Sequence, residues 1–164
     1  MFHKSRIFLA VLLCLVMLTG CSSVELEQHI TLDTVNNNKA ELDIPKEWVY
    51  SSDGDIALFA LTDDKLSNDD WVMMLTANLI STVGEDATAV EIATKVITSG
   101  FEGRKYTTES LGGDCIFVKV DASELNYFIV SDDDAGIYLY GRIYNAEVDE
   151  ETAKAIAESI QIGD

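Results

Sequence analysis

Four strand-like segments joined by very short links fill residues 104–145, and no other feature constrains the fold as strongly. Residues 104–110, 115–122, 126–131 and 137–145 each have the composition and alternation of a β-strand. The links are Gly112-Gly113, Ala122-Ser123-Glu124 and Asp132-Asp133-Asp134-Ala135-Gly136. Parallel neighbours need a crossover of about a dozen residues or more, so links this short require antiparallel hairpins.

The flanking pattern completes an α+β class. Ala40, Leu42 and Ile44 alternate with Glu41 and Asp43 as in a half-buried strand, which Pro45 ends before Trp48-Val49-Tyr50. Asp53-Gly54-Asp55 reads as a turn. Residues 56–61 are apolar at both parities, which predicts a strand covered on both faces. Residues 63–70 read as a polar loop, and 71–80 as a further strand despite the helix-compatible Met73-Met74-Leu75. Thr88 and Glu91 fit a capping box. Behind it, Ala89, Ile92, Ala93, Val96 and Ile97 follow helical spacing, with Gly100 expected as a left-handed cap. A last helix is expected from Asp149 as N-cap. Glu150 and Glu151 suit its positive end, and Ala153, Ile156, Ala157 and Ile160 form its apolar stripe. The expectation is one domain over residues 29–164, a central antiparallel sheet flanked by two or more helices.

The beginning of the chain supplies an address. His3, Lys4 and Arg6 precede an uncharged apolar run over 7–18. That run is too short for a membrane-spanning helix, which needs ~20 residues, but it suits a secretory signal. It ends in Leu18-Thr19-Gly20-Cys21, which resembles the lipobox of bacterial lipoproteins. The resemblance implies a signal over residues 1–20, cleavage before Cys21, lipid on Cys21 and a short tether over 21–28. It places the domain in the cell envelope, anchored on the extracytoplasmic side of a membrane. Ser22 resembles the outer-membrane sorting choice where the host has two membranes. Cys14 falls within the signal and Cys21 is modified, which leaves Cys115 without a disulfide partner, as a buried thiol.

Charge excludes some partners. The chain carries 11 basic and 29 acidic residues; without Lys4 and Arg6 the balance is 9 against 29, a net charge of −20. Nucleic-acid binding rests on Lys and Arg neutralising phosphates, and adhesion to anionic lipid needs the same excess. Neither is expected, so membrane attachment falls to Cys21. A solvated acidic surface accounts for the charge; a cation or a basic partner is the sharper reading.

The order of elements carries a second resemblance. A strand followed by Ile44-Pro45-Lys46-Glu47-Trp48, a strand pair, a helix, an antiparallel run and a closing helix with Ser159-Ile160 is similar to the PsbP-like fold. It resembles in particular bacterial lipoproteins of the DcrB type, over residues 30–162. This resemblance implies an α/β/α sandwich and a non-enzymatic envelope role, and Glu47 departs from the small or amidic residue more usual before the Trp.

Motifs for chemistry are sparse. Past residue 20 the single histidine is His29, and no Gly-x-Ser-x-Gly elbow, His-Glu-x-x-His, Cys-x-x-Cys or phosphate-binding Gly-rich loop occurs. No enzymatic activity and no cofactor are expected beyond the lipid on Cys21. Asp132, Asp133 and Asp134 are the candidate for a weak calcium site, although the position of a twelfth-residue Glu holds Ile143. Alternation puts Tyr138, Tyr140, Arg142 and Tyr144 on one sheet face, opposite Ile137, Leu139 and Ile143. Tyr and Arg are frequent at binding hot spots, so these four are the candidate contact surface for an envelope protein partner. The competing reading is that the rings pack beneath a helix. A hydrolase using an acid pair is the remaining alternative.

Overall fold

A computed structural model describes residues 25–163; the expected signal over 1–20 and the lipidation site Cys21 lie outside the described residues. Among the described residues two antiparallel sheets hold ten strands. β1 (Gln28–Asp33), β2 (Lys39–Ile44) and β10 (Gln161–Gly163) form a small sheet in the order β1-β2-β10. β3 (Val49–Asp53), β4 (Ile56–Ala60), β5 (Met73–Leu79), β6 (Tyr106–Gly112), β7 (Cys115–Val120), β8 (Leu125–Asp132) and β9 (Ile137–Tyr144) form the large one, in the order β3-β4-β5-β9-β8-β7-β6. The helices are α1 (Asp63–Ser67), α2 (Ala89–Gly100) and α3 (Glu150–Ser159). The three predicted hairpins are present as β6-β7, β7-β8 and β8-β9.

Helices lie on both sides of the large sheet, so the expected architecture holds. On its inner face the small sheet and α3 close over Phe59, Met73, Leu75, Phe117, Phe128 and Leu139. The small sheet contributes Ile30, Leu32, Leu42 and Ile44, and α3 contributes Ala153, Ile156 and Ala157. Ion pairs join α3 to the strands beneath it, Lys119 to Glu150 and Lys154 to Glu109, each at 2.6 Å, and Lys154 also meets Glu150 within the helix at 2.9 Å. On the outer face α2 lays Ile92, Ala93 and Ile97 over Ile116, Val118, Tyr127 and Ile129. The predicted capping box is formed, with the Thr88 hydroxyl accepting from the Glu91 N–H and the Glu91 carboxylate accepting from the Thr88 N–H. Asp149 caps α3 by accepting from the Thr152 N–H at 2.8 Å.

Three local expectations need correction. Residues 63–67 form a helix rather than part of a loop, because the Thr62 hydroxyl accepts from the Lys65 N–H and Asp63 and Asp64 suit the first turn. Gly100 is the last helical residue and not the left-handed cap; Phe101 caps the helix, and positive φ falls at Gly103 (+78°). β4 is covered on one face only, with Ile56 45% exposed, because α2 does not reach across to it. A small second sheet accompanies the expected central one, since β2 pairs with β1 and β10 and not with the large sheet.

One glycine is required by packing. Gly141 sits mid-strand in β9 directly opposite Phe128, and a Cβ there would fall within the fully buried Phe128 ring. Gly141→Ala should therefore cost ~2–4 kcal/mol by displacing that ring. Urea unfolding checks this, and a loss below ~0.5 kcal/mol would contradict the packing role.

Candidate functional site

The outer face of the large sheet is covered by α2 across β7, β8 and the Tyr138 end of β9, and across the rest of β9, β5, β4 and β3 it is not. Register identifies the side chains on that open half. One cross-strand row runs Arg142, Met74, Leu58, Ser51; the next runs Tyr140, Thr76, Ile56, Asp53. Directly paired residues project to the same side of a sheet, so both rows share one surface. Met74, Leu58, Tyr140, Arg142 and Tyr144 are all partly exposed, and Ile56 is more so at 45%. Trp71 reaches this surface from the segment before β5 and lies against Tyr144, ring centroids 4.9 Å apart.

The four residues singled out by alternation do share a face, but they divide into two environments. Tyr138 is 6% exposed and belongs to the core beneath α2. Tyr140 stands at the margin of α2, its ring stacked on Tyr127 at 6.0 Å, which in turn meets Phe101 edge-on at 5.1 Å. Burial raises the Tyr140 phenol well above its usual range, with Tyr127 adding to the effect and Arg142 opposing it. Arg142 and Tyr144 lie on the open side. The Arg142 guanidinium is flanked by Trp71 at 5.9 Å and Tyr140 at 5.6 Å, and donates from Nη2 to the Met74 sulfur. Its Nε is buried and has no acceptor among the described residues.

Trp71 and Met74 were not legible as members of this group. They join it because β5 inserts between β4 and β9, two strands far apart in the chain. Alternation along β9 alone carries no sign of that neighbour.

The remaining candidates are dispersed. The calcium reading of Asp132, Asp133 and Asp134 gains no geometric support. Asp132 accepts from the Ala135 N–H at 2.8 Å, and the Asp133 carbonyl accepts from Gly136, so the segment is organised as a turn. Among the described residues no three His, Cys, Asp or Glu side chains are placed to hold a metal ion. His29 faces its cross-strand neighbours, Asp43 at 2.8 Å and Glu41 at 3.7 Å; no nucleophilic side chain hydrogen-bonds it among the described residues. A cavity of about 540 Å³ opens between the β6–β7 turn and the end of α3, lined among others by Leu111, Asp114, Cys115, Asp132, Glu158 and Ile160. The Cys115 thiol, 6% exposed, donates to the Ala157 carbonyl at 3.7 Å. Burial, with Glu158 nearby, pushes its pKa up to about 11. No helix among the described residues is long and apolar enough to cross a membrane.

Compared with known proteins, the chain matches no family model and no curated sequence.

Two outcomes are expected from this geometry. Tyr140→Ala removes a ring stacked in the α2 core and should cost ~2–3 kcal/mol, whereas Arg142→Ala should cost under ~1 kcal/mol. Separate thermal unfolding of the two variants checks this, and equal losses would place Arg142 in the core. For Cys115, the folded pKa lies above the unfolded value of 9.0, so the folded state holds its proton more tightly. The associated stability is complete below about pH 9 and is lost as pH rises toward 11, at up to ~1.4 kcal/mol per pH unit. Cys115→Ala should flatten that decline in urea titrations between pH 8.5 and 10.5; an unchanged slope would assign it elsewhere.

Proposed function

We propose that the protein is a lipid-anchored envelope lipoprotein whose domain acts as a non-enzymatic binding or accessory module. The observation that carries this reading is the open half-face of the large sheet, where Trp71, Tyr140, Arg142 and Tyr144 stand together beside Ile56, Leu58 and Met74. Aromatic and Arg side chains framed by apolar neighbours are the composition of interface hot spots. The lipobox-like Leu18-Thr19-Gly20-Cys21 supports anchoring through Cys21, and the basic head with its short apolar run supports secretion. The order of elements, with helices on both faces of an antiparallel sheet, supports the likeness to PsbP-like domains and DcrB-type lipoproteins. The partner on this reading is another envelope protein, reached on the extracytoplasmic side of the membrane, the outer one in a two-membrane host. Nucleic acid is disfavoured by the acidic charge.

Two or more acyl chains give stable attachment, at ~0.8 kcal/mol per buried methylene. Cys21→Ala should therefore move the protein from the membrane to the soluble fraction; persistence in washed membranes would refute the anchor. Binding is tested by cross-linking the native protein in its membrane from a photoreactive residue at Ser51, beside the open face. The expected result is one specific envelope protein, lost when Trp71 and Tyr144 are both replaced by alanine. Cross-links insensitive to those replacements would remove the face from the binding role.

A further inference from the structure

One cation stands on the open face. Residues 25–163 contain nine Lys and Arg. Lys46 meets Glu27, Lys65 meets Asp70, Lys119 meets Glu150, and Lys154 meets Glu109 and Glu150. Arg142, like Lys39, Lys95, Arg104 and Lys105, has no carboxylate within 4.0 Å among the described residues, but it alone of these is held between aromatic rings and a sulfur on the open face. It is also the only cation on the two outward rows of the open face.

We infer that this face takes an aspartate or glutamate side chain of a protein partner, seated on the Arg142 guanidinium, with apolar partner residues against Ile56, Leu58 and Met74. The inference rests on the binding-module reading and adds the chemistry of what is bound. The guanidinium is held by rings and a sulfur rather than by acceptors. Trp71 and Tyr140 flank it, Met74 takes one Nη2 proton, and Nη1 donates to nothing among the described residues. A carboxylate fits this planar set of donors with two parallel hydrogen bonds, which an ammonium in the same place could not offer. A broad sheet surface suits a protein segment, whereas small ligands are held in concave clefts. The surrounding charge sharpens the choice. A partner carboxylate is repelled by a chain with 29 acidic residues against 11 basic ones and, on the open face, is welcomed at one point, so Arg142 fixes where on this face the partner sits as well as which partner it is.

The test is selection of a random phage-displayed peptide library on the full-length chain, in parallel with its Arg142→Glu variant. The native chain should enrich peptides with Asp or Glu next to apolar residues, and these should bind Arg142→Glu at least about ten-fold more weakly. The variant should enrich Lys or Arg at the same position. An absence of enrichment, peptides lacking acidic residues, or equal binding to both chains would overturn the inference. Self-association of the native chain in sedimentation, abolished by Arg142→Glu, would also overturn it by making the occupant a second copy. Thermal unfolding shows whether Arg142→Glu folds; if it does not, Arg142→Gln replaces it and the same ten-fold loss is required. A partner cross-linked from Ser51 whose binding ignores both replacements would refute the carboxylate and leave the binding module standing.

Discussion

The molecule depends on the pairing of β9 with β5. Without it, β6 to β9 would be a four-stranded meander and β3 to β5 a separate three-stranded piece. The junction joins Met73 through Leu79 to Ile143 through Ile137 in unbroken antiparallel register. On the inner side it aligns Met73, Leu75 and Ala77 with Ile143 and Leu139 in one core. Gly141 allows this, because the position opposite Leu75 on β9 is already filled by the ring of Phe128 from the other side. On the outer side the same register sets Met74 beside Arg142 and Thr76 beside Tyr140, so the joint that unites the sheet also assembles the candidate surface.

Sequence reading is strongest where contacts are local. The β6 to β9 hairpins, the Thr88–Glu91 box and the Asp149 cap all depend on residues a few positions apart, and each is found in the structure. It weakens where contacts are distant. The separation of β2 from the large sheet and the one-sided cover of β4 are decided by strands and helices remote in the chain. Residues 56–61 have the composition of a strand covered on both faces, yet Ile56 is exposed and Leu58 only partly buried. The loop expected over 63–70 failed for a local reason: the Thr62 cap with Asp63 and Asp64 behind it is a helix start, outweighed in the reading by the density of polar residues.

The candidate site follows the same division. Alternation placed Tyr138, Tyr140, Arg142 and Tyr144 on one face, and the structure agrees. Which of them is reachable depends on where α2 stops: Tyr138 lies under it, Tyr140 at its edge, and Arg142 and Tyr144 beyond. The stacked Tyr140 and Tyr127 rings thus belong to both the core and the surface, and give the Arg142 guanidinium a rigid wall. Rigid aromatic support of this kind lowers the entropy lost on binding, since the contact surface is ordered beforehand.

The small sheet has a consequence for the order of folding. β2 is bonded on one side to β1, its hairpin neighbour, and on the other to β10, which places Gln161 opposite Glu41. The first pairing closes a loop of a few residues and the second closes nearly the whole domain, so their entropic costs differ widely. The β1–β2 hairpin can therefore form early, while its far edge stays open until α3 has docked and delivered the strand behind it. Until that moment β2 is an exposed edge able to pair with another chain. The residues after α3 act as the latch that closes it.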